Sequence, residues 1–241
     1  MQLAIDAGNS FVKWGYHNGR VWVIQQRAGL AEFCADPLHY LDRPVTRVVI
    51  SNVAGNTFEE AMSRALPSSA LCWIKAKSNA CGVSNQYDIP SQLGSDRWAA
   101  LIATRATTSA PCLVVSIGTA LTVDMLTKNG VFVGGLIAPG PQLMREALAH
   151  GTDAIQTPTG MLVSFPTNTA DAVETGVRYA LLGAIERAAA TLEASQRDEV
   201  ACILTGGAAH LIAPFLNRPF QLVDNLVLEG LIVMAKEEKS T

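Results

Sequence analysis

A chain of 241 residues, 49% apolar and 16% charged, has room for one large domain or two ordinary ones and enough apolar mass for a substantial core. A net charge of −3 without a basic block argues against nucleic acid as a partner, so any anionic ligand must be held by a few local Lys or Arg and by backbone N–H groups. No apolar run reaches transmembrane length, and the early Asp6 without a basic leader predicts a soluble, cytoplasmic protein with no export signal and no membrane partner.

In chain order, residues 2–7, 11–17 and 20–26 read as three consecutive strands. Gly8-Asn9 reads as a tight turn between the first two, on the argument that Gly accepts positive φ and Asn tolerates it. Leu30 to Leu41 is weakly helical, and Thr46 to Val53 is a fourth strand with a polar end. Thr57 to Leu66 is helical and stops before Pro67, and Leu71 to Lys75 is a short strand. Ser78 to Leu93 reads as a loop, from which Gly94-Ser95-Asp96-Arg97 opens a helix carrying Trp98, Leu101, Ile102 and Arg105 at helical spacing. A second series then begins. Cys112 to Ile117 is apolar enough for a central strand, Gly118-Thr119-Ala120 is a turn, and Leu121 to Leu126 and Gly130 to Ile137 are returning strands. A short helix runs to His150, Thr157 to Thr167 is irregular, and a long helix covers Thr169 to Ala194 behind Asn168 as its N-cap. Val173, Val177, Leu181, Ile185, Ala188 and Leu192 mark its apolar face. Ala201 to Thr205 is a strand, Gly206-Gly207 a turn into a short helix, Phe220 to Val223 the last strand and Asn225 to Lys236 the last helix.

Both halves repeat three strands, helix, strand, helix with parallel crossovers, and in each the first strand ends in a Gly turn beside a polar residue: Asp6-Ala7-Gly8-Asn9 and Ser116-Ile117-Gly118-Thr119. The fold class is α/β, a duplicated βββαβα order in two domains, 1–110 and 111–241, with a cleft between them. Backbone amides at a hairpin tip with one carboxylate, Asp6, and one cation, Lys13, suit a Mg-bound polyphosphate; an ordinary hairpin with a surface Asp and Lys is the alternative. Walker A and GxSxG are absent. Cys34, Cys72, Cys81, Cys112 and Cys202 are scattered and read as reduced thiols, and His17, His39, His150 and His210 lack metal-ligand spacing. Asp96 reads either as a base or as an N-cap or salt-bridge partner of Arg97. Asp124 lines a cleft or caps a turn, Asn52 reads as a turn residue, and Trp14 and Trp98 as core.

Asp6-x-Gly-Asn-Ser-x-x-Lys13, Gly94-x-Asp96-Arg97, Gly118-Thr-Ala-x-Thr-x-Asp124, Gly134-Gly-x-Ile-x-Pro-Gly140, Asn168-Thr169 and Thr205-Gly-Gly207 occur in one order. Together they resemble the type III pantothenate kinases, of the acetate-kinase, sugar-kinase, hsp70 and actin superfamily, over nearly the whole chain. The resemblance implies two actin-like (ribonuclease H-like) domains and ATP-dependent phosphorylation of pantothenate to 4′-phosphopantothenate, the first step toward coenzyme A, by a homodimer. It implies ATP contacts from Asp6, Ala7, Gly8, Asn9, Ser10, Phe11, Val12 and Lys13, from Gly118 and Thr119, and from Gly206 and Gly207. Asp6 would hold Mg through water; Tyr87, Gly94, Ser95, Asp96, Arg97 and Thr169 would contact pantothenate. Asp96 would take the proton of the alcohol as it attacks the γ-phosphoryl group. Ser116 departs from the pattern: many members carry a carboxylate there that binds K⁺ or NH₄⁺, and a neutral hydroxyl predicts weak cation selectivity. Two other readings are a superfamily kinase acting on another small alcohol, and a nucleotide-binding accessory regulator without turnover.

Overall fold

A computed structural model describes residues 1–45, 47–152, 155 and 159–237. Thr46 and Thr157, two of the expected element boundaries, lie outside them.

The first strands are β1 (Gln2–Ala7), β2 (Phe11–His17) and β3 (Trp22–Gly29), an antiparallel meander. The expected helix from Leu30 is two short ones, α1 (Leu30–Ala35) and α2 (Pro37–Tyr40). Pro37 cannot continue the first, and Asp36 caps the second by accepting the His39 N–H at 3.2 Å. Then come β4 (Val48–Asn52), α3 (Asn56–Ala65) and β5 (Leu71–Trp73), giving the sheet order β3-β2-β1-β4-β5 with β1, β4 and β5 parallel. The expected loop 78–93 contains a small hairpin, β6 (Asn79–Ala80) and β7 (Val83–Asn85), and a 3₁₀ turn at Pro90–Gln92. Its turn uses Cys81 and Gly82 at positive φ, a local device that apolar periodicity does not reveal. Helix α4 (Ser95–Thr107) follows.

The second series repeats the first. Strands β8 (Cys112–Ile117), β9 (Ala120–Leu126) and β10 (Val131–Pro139) form a meander with a bulge between Phe132 and Gly134, where Gly134 takes φ +132°. Helices α5 (Pro141–Gly151) and α6 (Thr169–Gln196) follow, then β11 (Ala201–Thr205) and β12 (Phe220–Leu222). These strands run β10-β9-β8-β11-β12, with β8, β11 and β12 parallel, the same order as in the first sheet. Asn168 caps α6 by accepting the Asp171 N–H at 2.9 Å, and all of the apolar face expected for that helix is buried.

The chain closes with α7 (Leu226–Glu237). Two compact units result: Met1–Ser109 with Asn225–Thr241, and Ala110–Asp224. The break lies one residue from the expected boundary, but the tail belongs to the first unit rather than the second. The physical reason is a close helix crossing: a Cβ on Gly230 of α7 would collide with the backbone of Ala99 in α4, so only glycine permits this approach. Trp98, Leu101, Leu228 and Leu231 are fully buried on these two helices. In the same unit Trp14 stacks at a tilt on Phe33, ring centroids 5.3 Å apart, and both Trp14 and Trp98 are core as expected.

Gly230→Ala tests that packing. Intrinsic helix propensity favours Ala by about 1 kcal/mol. The backbone collision should outweigh that gain by about 1–2 kcal/mol and lower Tm by several degrees in a thermal melt. An unchanged or higher Tm would contradict the close crossing.

Candidate functional site

Strand register places the polar residues of the first unit. Asp6, fifth in β1, lies directly opposite Lys13 on antiparallel β2 and beside Ser51 on parallel β4. Residues so paired share a sheet face, so carboxylate, ammonium and hydroxyl gather at one end of the sheet. The turn that follows is closed by the Gly8 N–H donating to the Phe11 carbonyl at 3.0 Å. Neither Gly8 nor Asn9 adopts positive φ, so the expected left-handed turn is corrected: the chain bends within ordinary backbone space. A Cβ on Gly8 would meet the Phe11 carbonyl oxygen at 3.4 Å, an ordinary contact, so space does not demand glycine at this turn either.

Ser51 is fully buried and its hydroxyl meets that of Ser95, at the start of α4, at 2.9 Å. This link brings the first turn of α4 to the end of β1. Gly94 is the N-cap of α4 and makes no side-chain cap. Asp96 therefore is not the N-cap; it stands in the first turn, its Oδ1 accepting the N–H of Arg97 at 2.8 Å. A Cβ on Gly94 would press on that same Oδ1, so glycine makes space for the Asp96 carboxylate. Arg97 is buried, donates from Nη1 to the Tyr87 hydroxyl at 3.0 Å and lies over the Tyr87 ring. Asn85 orders the Tyr87 segment, accepting the Tyr87 N–H and donating to the Pro90 carbonyl. A cavity of about 560 Å³ borders this loop, lined by Asn52, Trp73, Lys75, Gly94 and Ser95. Asn52 is the turn residue expected, binding the Gly55 carbonyl and the Ala54 N–H.

Electrostatics single out the two acids. Burial pushes the Asp6 carboxyl up to about 7; the Asp96 charge adds to the rise and Lys13 opposes it. Burial also raises Asp96, while the Arg97 N–H and charge hold it down. A desolvated acid near a second carboxylate is the arrangement that puts proton affinity near neutral pH.

The second unit has its own constellation. Ser116, fifth in β8 as Asp6 is fifth in β1, sits between Thr122 and Thr205. Hydroxyls thus occupy the places of Asp6, Lys13 and Ser51. The Gly118–Thr119 turn is closed by the Gly118 N–H on the Ala120 carbonyl at 2.9 Å, again without positive φ. Gly140 underlies it: its N–H donates to the Thr119 carbonyl, and a Cβ would strike the carbonyls of Gly118 and Thr119. Gly206 takes φ +95° hard against the Ile117 backbone, and the Ala208 N–H donates to the Ile117 carbonyl at 3.0 Å. The turns 118–119 and 205–207 are therefore physically joined. Thr169 stands elsewhere in this unit, at the start of α6, exposed and lining a cavity of about 590 Å³ with Leu148, Pro166 and Val173. Asp124 is buried mid-strand in β9, paired across the sheet with Val114 and Gly135. Ser51 and Asn85 are not among the residues that the sequence motifs mark, whereas Gly140 closes one of them. A polar residue at the C-terminal end of an otherwise apolar strand was the signal available for Ser51.

Among the described residues no group of three or more His, Cys, Asp or Glu side chains could hold a metal ion, and no helix is long and apolar enough to cross a membrane. Asp6 fits a water-mediated contact to a divalent ion, being a desolvated acid facing a single cationic neighbour in register. Ser116 and its two threonine neighbours present neutral oxygens only, a poor match to a bound cation's charge.

Solved structures share this architecture. A Campylobacter jejuni protein described as a transcriptional activator of the Baf family superposes with TM-score 0.67 at 20% identity, covering 99% of this chain and 100% of that one. A Sinorhizobium meliloti protein described as a 2-dehydro-3-deoxygalactonokinase gives TM-score 0.61 at 14% identity, covering 99% of both. The fold is that of the actin-like ATPases and sugar kinases. Sequence narrows the class. The family model for type III pantothenate kinase matches residues 2–191, and the type III pantothenate kinase of Aromatoleum aromaticum is 46% identical over 241 residues, covering 99% of each chain. The chain belongs to the type III pantothenate kinase family.

The raised Asp6 carboxyl has a consequence for stability. Its folded pKa, about 7, exceeds the unfolded value, so the folded state binds more protons and stability falls as pH rises from about 4 to about 7. Asp6→Asn should therefore stabilise the ligand-free protein at pH 8, on the order of 1–3 kcal/mol, and change it little at pH 4. Thermal melts at both pH values check this; destabilisation at pH 8 would contradict it.

Proposed function

We propose that the protein transfers the γ-phosphoryl group of ATP to the primary alcohol of pantothenate, yielding 4′-phosphopantothenate and ADP at the entry to coenzyme A synthesis. The observation that carries this reading is the placement of Asp96: an acid of raised proton affinity beside Arg97–Tyr87, with Gly94 leaving space for its carboxylate. The alcohol oxygen attacks phosphorus, its proton passes to the Asp96 carboxylate, and the bond to the β,γ-bridging oxygen breaks. Lys13 offsets phosphate charge, and Asp6 would hold through water a Mg ion, which when bound would supply further positive charge to the phosphates. The hairpin tip at Asn9–Ser10, within the Asp6–Lys13 segment, and the tip at Thr119 cradle phosphates, and Gly206–Gly207 accepts the adenosine against bare backbone. Tyr87, Gly94, Ser95 and Arg97 bind the acceptor, the guanidinium matching its carboxylate.

We also assign a homodimer in which Thr169 reaches substrate. An apolar stripe supports it: the segment carrying Met161 and Phe165 is pinned to α6 by Asp171 and Thr175, and Tyr179 follows one turn on. Met161, Phe165 and Tyr179 are 68%, 88% and 55% exposed, large apolar side chains of the kind an interface covers. The composition fits a cytoplasmic enzyme. A regulator without turnover is less favoured, because Asp96 and Lys13 are both retained.

Purified protein with ATP, Mg and pantothenate should release 4′-phosphopantothenate, read by mass spectrometry. Asp96→Asn should lower kcat about 10²–10⁴-fold while ATP still binds, since only the proton acceptor is lost. Near-normal turnover would remove Asp96 from the base role, and turnover of a sugar but not pantothenate would redirect the substrate assignment. Rates in K⁺, NH₄⁺ and Na⁺ should agree within about threefold, because Ser116 offers no charge to discriminate on. A strict K⁺ requirement would contradict this.

A further inference from the structure

The second unit contains a buried ion cluster that nothing above uses. Glu174, on α6, is 7% exposed and both of its carboxylate oxygens are engaged. Oε2 accepts from Arg145 Nη1 of α5 at 2.8 Å, and Oε1 accepts from Arg178 Nε at 2.6 Å, one helical turn along α6. Each arginine leads to a different nucleotide turn. Arg145 lies in the helix whose N-cap is Gly140, the residue packed beneath Gly118–Thr119. Arg178 donates from Nη1 to the carbonyl of Leu211 at 3.3 Å and sets its guanidinium over the Phe215 ring, 5.7 Å from the centroid. Leu211 closes the 3₁₀ turn that begins at Ala209, directly after the Thr205–Gly207 bend. The Leu211 N–H in turn donates to the Ala208 carbonyl, and the Ala208 N–H to Ile117.

We propose that Glu174 is a positioning residue for ATP, setting the spacing of the 118–119 and 205–207 turns through Arg145 and Arg178. A carboxylate that bridges two guanidiniums out of water has strongly directional, charge-assisted bonds, and removing its charge leaves two cations without their shared acceptor. Rigid packing then transmits the loss: α5 is free to shift against the Gly118–Thr119 turn, and the segment after Gly207 loses its anchor. The effect falls on nucleotide binding. The acceptor loop at Tyr87 and Gly94–Arg97 contains no member of the cluster, and Thr169, the acceptor contact on α6, is held by the Asn168 cap rather than by Glu174, so pantothenate binding changes little. This inference rests on the reading that those two turns hold ATP.

The test is calorimetric titration of wild type, Glu174→Gln and Arg178→Lys with the Mg complex of a non-hydrolysable ATP analogue, together with KM for pantothenate at saturating ATP. Glu174→Gln should raise the analogue Kd about tenfold, the cost expected for a broken charge-assisted contact, and leave the pantothenate KM within about twofold. Arg178→Lys keeps a cation for Glu174 but loses the fork that reaches Leu211; it should raise the Kd by a smaller factor and fold even if Glu174→Gln does not. A lower Tm with an unchanged analogue Kd in Arg178→Lys would show a purely structural cluster and overturn the proposal. Equal rises in the Kd and the pantothenate KM would overturn it as well. Wild type that fails to bind the analogue would instead overturn the ATP assignment of the turns themselves, and this inference with it.

Discussion

Two carboxylates held out of water, the charge of one raising the proton affinity of the other, are the constraint on which the first unit is built. Asp6 and Asp96 reach the same corner of the first unit from opposite directions, one at the end of β1 and one in the first turn of α4. The buried Ser51–Ser95 hydroxyl pair joins the elements that carry them, and Lys13 and Arg97 supply partial compensation. Such an arrangement costs folding stability, a cost that the ligands proposed for it would repay. A Mg-bound polyphosphate and an alcohol awaiting deprotonation are ligands that would do so.

The duplicated architecture gives that corner a counterpart without charge. Both sheets order their strands alike, and the fifth residue of the leading strand is Asp6 in one and Ser116 in the other. Where the first copy sets lysine and serine beside its acid, the second sets two threonines beside its serine. One copy carries ionic groups there; the other carries neutral hydroxyls beside the Gly118–Thr119 and Thr205–Gly207 bends, pinned by Gly140 and by the Gly206 contact with Ile117. Two bends in one unit can be clamped by a single ion cluster because both reach it through short helical segments.

Much of this was legible in the sequence, for physical reasons. Long, strongly periodic elements such as α6 were readable because burial on one face imposes its period, and Asn168 announced its start. Strand β8 was readable because both its faces are covered. Glycine was informative at two motif positions, Gly94 against the Asp96 carboxylate and Gly206 at positive φ against the Ile117 backbone. Less visible were features that depend on distant chain meeting. The return of α7 to the first unit turns on Gly230 against Ala99, and a glycine within a helix does not say which neighbour it admits. The turn at Gly8 was misjudged because a glycine does not by itself signal positive φ. The small hairpin 79–85 was missed because strands of two or three residues carry no period.

The most direct measurement is a carboxyl carbon NMR titration of the ligand-free protein, following Asp6 and Asp96 with the Asp96→Asn variant as the assignment control. The account predicts that Asp6 titrates near 7 and moves down once the neighbouring charge is removed, with Asp96 also above the usual carboxylate range. Both side chains titrating at ordinary values, and Asp6 indifferent to Asp96, would contradict it.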